Sequence, residues 1–180
     1  MVLQTKQLIS EYEKQLYPAV TICGPTQLNG LIEAQGDKTA GLLLIASACS
    51  FKGETSIYGL PLVSDIQVGL NLASQLREIR YEEQSIIIGK PQHEKVISLK
   101  HEYCCSIRHV MSFVAAGLVL GKEIEFSLPG GDTFCTRPID VHLDSISKYG
   151  ALIYEISHGR FRAIPPKVQT SIKMDVLSKA

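Results

Sequence analysis

The sequence has no tryptophan, no excess of either charge and no apolar run long enough to cross a membrane. Eighteen Lys and Arg residues balance eighteen Asp and Glu residues, so the formal net charge is zero. A neutral chain has no general attraction to nucleic acid or to an anionic membrane, and any anion site has to be local. The longest apolar runs, at 41–49 and 113–121, are well short of the roughly 20 residues that a helical span requires. The sequence therefore predicts neither a membrane span nor nucleic-acid binding.

The N-terminal segment lacks the apolar core of a secretory signal, because charges interrupt "MVLQTKQLISEYEKQL". The five cysteines are odd in number and widely spread, which argues against a disulfide framework. Cys104 and Cys105 lie close to His101 in sequence, but no second ligand pair at metal spacing occurs elsewhere. We therefore expect a cytoplasmic chain with partly buried thiols and no metal site.

An internal repeat is the most informative feature that is present. With 45% hydrophobic residues among 180, the chain can form one core, and its apolar periodicity runs twice through the order helix, strand, helix, strand. The predicted segments of the first copy are 38–49, 51–61, 63–76 and 84–89. Those of the second copy are 106–120, 121–129, 137–151 and 151–157.

The two copies differ mainly in the link between their first strand and second helix. Leu60-Pro61 matches Leu128-Pro129, and Asp65-Ile66 matches Asp140-Val141, but "LVS" follows Pro61 whereas "GGDTFCTRPI" follows Pro129. Two glycines permit backbone conformations that a side chain would forbid. The second link is thus predicted to be a functional loop built on a repeated scaffold.

Three blocks of the sequence resemble the enolpyruvyl transferases. They are "LNGLIEAQGDKTAGLLLIASACSFKGETSIYGLPLVSDI", "SIRHVMSFVAAGLVLG" and "SLPGGDTFCTRPIDVHL". The resemblance covers residues 18–180 in order and is nearest to the branch of the family that acts on UDP-N-acetylglucosamine. It implies that the protein is a cytoplasmic transferase that acts in peptidoglycan synthesis.

The resemblance also implies the fold. The family has an inside-out α/β barrel of two similar domains, each made of three βαβαββ units with helices inside and sheets outside. About two units would be present here, at 36–100 and 101–166, followed by the start of a third. Together they would form a partial domain over 18–180, preceded by a helical extension over 1–17.

Three cations are expected to bind phosphoenolpyruvate, and two of them lie at the start of apolar helices. Lys38 precedes an apolar helix, where the ammonium and the backbone N–H groups can converge on an anion. The planar guanidinium of Arg108, at the start of the second unit's apolar helix, suits phosphate or carboxylate. The residues alone favour a solvated surface charge for Lys38, and for Arg108 they favour a helix cap or a pair with Glu102. The resemblance assigns both to phosphoenolpyruvate, and Lys38 also to the transition state, while His109 is interpreted as structural.

The remaining predicted site residues lie in the long link and beyond it. Asp132 stands where many family members carry a reactive cysteine and some carry aspartate, and either group can act as an acid near the methylene carbon of phosphoenolpyruvate. Cys135 does not align with that cysteine and is interpreted as structural. Arg137 is the third cation expected to bind phosphoenolpyruvate, and it is also expected to contact the UDP-sugar. By resemblance, the UDP-sugar surface comprises Thr39, Arg137, Pro138, Ile139, Asp140, Val141 and Ser178.

The implied reaction is addition and elimination with no metal or organic cofactor. The expected partners are phosphoenolpyruvate, a UDP-sugar or related acceptor, and a complementary protein half or a second copy of the chain. In the family, the other domain contributes the carboxylate thought to remove the hydroxyl proton, and further arginines, which have no counterpart here. Thr39 replaces an asparagine, and Val176 lies near a family lysine, so two hypotheses stand. The chain is either a component of an enolpyruvyl transferase or a non-catalytic binding module derived from one.

Overall fold

A computed structural model describes Gly24, Pro25, Gln27 and residues 29–130 and 139–168. The predicted helical extension over 1–17 and the predicted third unit beyond residue 168 lie outside these residues. The elements, in chain order, are α1 (Lys38–Ser50), β1 (Thr55–Tyr58), α2 (Ser64–Leu76), β2 (Arg77–Tyr81), β3 (Ser85–Pro91), β4 (Val96–Ser98), α3 (His101–Cys104), α4 (Val110–Val119), β5 (Glu123–Ser127), α5 (Asp140–Lys148), β6 (Leu152–Ser157) and β7 (Arg160–Ile164).

The two sheets repeat one topology. In the first sheet the strand order is β1-β3-β2, and in the second it is β4-β5-β7-β6. The pairs β1–β3, β2–β3, β5–β7 and β6–β7 are antiparallel, whereas β4 pairs with β5 in parallel. Strands β1, β2 and β3 therefore correspond to β5, β6 and β7. The mixed α/β fold and the internal repeat are both confirmed.

The predicted unit of helix, strand, helix, strand was one strand too short, because β2 and β7 were not assigned. Strand β2 begins directly after the last residue of α2, with no turn residue between them to mark the boundary. Its sequence, REIRY, is mostly charged and so resembles a solvated segment. With β4 included, the second unit has the order βαβαββ, with the short α3 inserted before α4. In the described part of the chain, no strand precedes α1 in the first unit.

One hydrophobic core joins the two units. Helix α1 packs against both α2 and α4, which also contact each other. Each of these helices contributes fully buried apolar side chains, and β3 and β5 contribute others to the same cluster. Among the largest are Leu42, Ile45, Leu72, Phe113, Ile88 and Phe126. The relative placement of the helices is thus fixed by shared burial rather than by local contacts.

A buried arginine closes the C-terminal end of α1. Arg77 is only 1% exposed. Its guanidinium donates hydrogen bonds to the carbonyl oxygens of Gly89 at 2.5 Å and Gly53 at 2.9 Å, and to that of Phe51. The last carbonyls of a helix and the turn that follows lack intrahelical donors, and Arg77 supplies them from the first position of β2.

No helix in the described ranges is long and apolar enough to cross a membrane. The cysteines that the structure describes are the free thiols Cys49, Cys104 and Cys105. Burial raises the pKa of Cys49 to about 12, with the nearby charge of Arg77 acting in the opposite direction. Over the same residues, no group of three or more His, Cys, Asp or Glu side chains is placed to hold a metal ion.

Candidate anion site at three helix N-termini

Two helices begin side by side at one end of the molecule. Helix α1 begins at Lys38, after Asp37, whose side chain accepts a hydrogen bond from the Ala40 backbone N–H at 2.7 Å. Asp65 is the second residue of α2, and its Oδ2 lies 2.6 Å from Lys38 Nζ. Because both residues lie in the first turn of their helices, this ion pair brings the N-termini of α1 and α2 together.

A third helix begins at the same place. His109 is the N-terminal flanking residue of α4, and it is close enough to Lys38 and Asp65 for their charges to act on its imidazole. Burial lowers the pKa of His109, and the charges of Arg108 and Lys38 lower it further, whereas Asp65 raises it. The ion pair of Lys38 with Asp65 and the charge of Arg108 thus lie within electrostatic range of the His109 imidazole.

The arrangement is suited to an anion. Backbone N–H groups at helix N-termini carry partial positive charge, and they attract anions. Lys38 and Arg108 add full charges and are exposed, as is Thr39 next to Lys38. Lys38 is neutralised in part by Asp65, whereas Arg108 forms no ion pair with any residue of the described ranges. Arg108 is thus available to a ligand.

The structure brings three of the predicted site residues to this end of the molecule, namely Lys38, Thr39 and Arg108. It corrects the position of Arg108, which lies two residues before the first residue of α4 rather than opening the helix, because His109 takes the flanking position. The alternative pairing of Arg108 with Glu102 does not form. The roles of these residues stay predictions.

The predicted UDP-sugar residues are divided between described and undescribed parts of the chain. Ile139 is buried and immediately precedes α5, Asp140 is the first residue of α5, and Val141 is 68% exposed. Helix α5 packs chiefly against β6. No hydrogen bond or ion pair joins these three residues to Lys38 or Arg108 within the described ranges. The other predicted members lie outside the described residues: Asp132, Arg137, Pro138 and Ser178.

Sequence reasoning missed Asp65 and His109 as members of the site. Asp65 had a detectable signal, since the repeat matches it to Asp140, which was assigned to the site. For His109 the sequence holds no signal beyond its position next to Arg108, and it was interpreted as structural. Its neighbours Lys38 and Asp65 are brought to it only by the packing of α1, α2 and α4.

The charges of this site give an expected titration of His109. Replacing Lys38 with methionine should raise the pKa of His109, because a like charge is removed, and Asp65→Asn should lower it. The folded pKa lies below the ordinary value of 6.5, so the unfolded chain binds the proton first as the pH falls. The contribution of His109 to stability is thus present above about pH 6.5 and is lost below it. NMR titration of the His109 ring measures both shifts, and shifts of the opposite sign would contradict the geometry.

The start of the long link is fixed against α3. The Gly130 N–H donates to the Cys104 carbonyl oxygen at 3.2 Å, and the Leu128 N–H donates to the Gly159 carbonyl oxygen at 3.1 Å. A Cβ at Gly130 would lie 1.7 Å from the Cys105 carbonyl oxygen. Only glycine allows this approach of two backbones.

Gly130→Ala should therefore destabilise the protein by about 2 kcal/mol or more, because backbone rather than a flexible side chain has to move. Gly53→Ala is the control, since nothing lies within 4 Å of a Cβ there. That variant should stay within about 0.5 kcal/mol of the parent protein. Urea unfolding compares the two, and equal stabilities would show that the link is not held in this way.

Fold and geometry together define an α/β protein with repeated units and a candidate anion site at helix N-termini. The family described as EPSP synthase (3-phosphoshikimate 1-carboxyvinyltransferase) matches residues 22–179, and the chain belongs to this enolpyruvyl transferase family. The resemblance seen in the sequence is confirmed.

Among curated relatives, the UDP-N-acetylglucosamine 1-carboxyvinyltransferase of Wolinella succinogenes is 32% identical over 152 residues, which cover 82% of this chain and 35% of that protein. That of Campylobacter jejuni is 32% identical over 133 residues, covering 72% of this chain and 31% of the relative. The chain spans about a third of the length of these relatives.

A solved structure shares the fold. The enolpyruvyl transferase NikO from Streptomyces tendae superimposes with a TM-score of 0.66 at 13% identity, over 81% of this chain and 32% of that one. At this identity the likeness shows the fold alone.

Proposed function

We propose that this chain supplies the phosphoenolpyruvate side of an enolpyruvyl transferase site, and that the acceptor is UDP-N-acetylglucosamine or a related UDP-sugar. The observation that carries the proposal is the meeting of Lys38, Arg108 and His109 at the N-termini of α1, α2 and α4. The names of the curated relatives support the choice of acceptor.

Phosphoenolpyruvate carries a phosphate and a carboxylate, so it needs more than one cation. Arg108 has no ion-pair partner in the described part of the chain and can bind phosphate through two parallel hydrogen bonds. Lys38 can add a charge-assisted hydrogen bond by exchanging Asp65 for the ligand. Because an exposed ion pair contributes little to stability, that exchange costs little.

In the proposed reaction, a proton adds to C3 of phosphoenolpyruvate, and a sugar hydroxyl loses its proton as it attacks C2. Phosphate then leaves C2 of the tetrahedral intermediate while C3 loses a proton, which restores the C2–C3 double bond. Lys38 and Arg108 offset the negative charge of the phosphate and carboxylate through these steps. By the family resemblance, Asp132 supplies the C3 proton, and Arg137 with Pro138, Ile139, Asp140, Val141, Thr39 and Ser178 binds the UDP-sugar.

The proposed site also needs groups that the residues named above do not supply. The carboxylate that removes the hydroxyl proton and the opposing arginines have no counterpart in this sequence. A site without its opposite face stays open to water, where charges stabilise the transition state less. We therefore propose that turnover requires a complementary polypeptide or segment that closes the site.

The test follows phosphate release from phosphoenolpyruvate and UDP-N-acetylglucosamine. The chain alone should release no phosphate above background, whereas addition of the remaining two-thirds of a relative as a separate polypeptide should give substrate-dependent release. Lys38→Ala should abolish that release, and Lys52→Ala, at the other end of α1, should not. Turnover by the chain alone that is lost on Lys38→Ala would show that no complementary part is needed. Inactivity with every complement tested would contradict the transferase proposal.

The alternative is a binding module without catalysis, and the replacement of the family asparagine by Thr39 favours it. In that case UDP-N-acetylglucosamine should bind, with chemical-shift changes near Lys38 and residues 139–141, but phosphate release should be absent under all conditions. We expect this binding to be weak, because the residues assigned to the UDP-sugar form only one side of the proposed site.

A further inference from the structure

Cys105 forms a cysteine–histidine pair that the proposed transfer reaction does not use. His101 is the first residue of α3, and Cys105 is the residue that caps the C-terminal end of α3, one turn later. Cys105 Sγ lies 3.6 Å from Nε2 and 3.7 Å from Nδ1 of His101. These are hydrogen-bonding distances for sulfur, and the Cys105 side chain is exposed to solvent-borne reagents.

The imidazole of His101 is held by a buried serine. Ser127 is only 2% exposed, and its Oγ lies 2.9 Å from His101 Nδ1. Arg160 also donates to this oxygen, from Nη1 at 3.5 Å. With Nδ1–H donating to Ser127, which can accept two hydrogen bonds, Nε2 is the nitrogen without a proton, and it lies 3.6 Å from the sulfur. The Cys105 thiol, the His101 imidazole and the Ser127 hydroxyl are thus neighbours in that order, as a nucleophile, its base and the group that orients the base.

The neighbouring thiols show that this environment is specific to Cys105. Cys104 is fully buried, and burial raises the pKa of its thiol. Cys49 is buried too, with its pKa raised in the same way. Among the described cysteines, Cys105 is the one that combines exposure with a histidine.

The pair also contacts the start of the long link. Cys105 Sγ lies 3.7 Å from the Leu128 carbonyl oxygen, and Gly130 packs directly on the Cys105 backbone. A group added to this sulfur would occupy space next to Leu128. Modification of Cys105 would therefore disturb the anchor of the segment that leads to Asp132.

We propose that Cys105 is a site of S-thiolation by low-molecular-weight disulfides, with His101 as the base, and that the modification loosens the link at 128–130. The Cys105 sulfur forms a bond to one sulfur of the disulfide, and the S–S bond breaks. The second sulfur leaves with the electron pair as a thiolate. The Cys105 proton passes to His101 Nε2 and from there to the leaving thiolate, so the products are a mixed disulfide and one free thiol.

The test treats the native protein with oxidised glutathione at pH 7 and follows each cysteine by peptide mass spectrometry. Cys105 should be modified at least tenfold faster than Cys104 or Cys49. His101→Gln should slow the modification of Cys105 by about tenfold, since the base is lost. His93→Gln removes another exposed histidine and should leave the rate unchanged. Equal rates for the His101→Gln variant and the parent protein would overturn the role of His101, and equal rates at Cys104 and Cys105 would overturn the site.

A second measurement tests the coupling to the link. Amide hydrogen exchange at Leu128 and Gly130 should become faster after modification of the parent protein. It should stay unchanged in Cys105→Ser treated in the same way. Unchanged exchange in a fully modified protein would show that the link does not respond to Cys105.

Discussion

Replacing Arg77 with leucine will lower the free energy of unfolding by about 3–5 kcal/mol. The substitution removes the donors to the carbonyl oxygens of Gly89, which is buried, and of Phe51 and Gly53, which lie nearer the surface. Each unsatisfied buried carbonyl costs about 1–3 kcal/mol, and entering water recovers part of the sum. The effect is large because one side chain joins the end of α1, the following turn and β3.

Urea unfolding measures this effect, and the same strand offers a control. Arg80 also lies on β2, but it is exposed and pairs with Glu54 at 2.9 Å. Arg80→Leu should change stability far less, because exposed ion pairs contribute little. The loss of stability in Arg77→Lys should lie between the losses in these two variants, since an ammonium keeps the charge but lacks the planar fork of a guanidinium. Equal losses for Arg77→Leu and Arg80→Leu would show that the buried guanidinium is not what holds α1 to the first sheet.

Lys38→Met will weaken the binding of phosphoenolpyruvate by about 10- to 100-fold. A hydrogen bond to a charged group contributes about 1.5–3 kcal/mol, and each 1.4 kcal/mol is a factor of ten in affinity. Stability should hardly change, because the Lys38–Asp65 pair is largely exposed. A loss of affinity without a loss of stability identifies a ligand contact.

Lys52→Met is the matched control, because it removes the same charge just beyond the opposite end of α1. Helix α1 has 13 residues, so the two lysines are about 20 Å apart. Isothermal titration of both variants compares them. If the two variants lose affinity equally, the ligand responds to net charge and not to the site at the helix N-termini.

The fold was predictable from the sequence to the extent that its signals are local and repeated. Apolar periodicity located α1, α2, α4 and α5, and the matched Leu-Pro pairs revealed the duplication that the two sheets confirm. Strand β2 was missed because its charges and the absence of a turn conceal it, although cross-strand pairs such as Arg80 with Ile87 hold it in the sheet. Strand β4 has only three residues, too few to show a period.

The candidate site was predictable only in part. Resemblance to the family indicated Lys38 and Arg108, whereas composition and spacing left both open as surface charges. The contact of Lys38 with Asp65, and the proximity of His109 to both, result from the packing of three helices that are distant in sequence. No local pattern encodes such proximity. The roles of Asp132, Arg137, Pro138 and Ser178 stay predictions.

The central claim is that phosphoenolpyruvate binds where α1, α2 and α4 begin, and chemical-shift mapping of the native chain tests it most directly. Titration with phosphoenolpyruvate should perturb the amides of Lys38, Thr39, Asp65, Arg108 and His109 along one saturable curve. A matched titration with sodium chloride should not. Perturbations centred on Arg160 and Arg162, whose guanidinium groups pair with Glu125 and Glu123 on the second sheet, would contradict the account. So would perturbations that fail to saturate.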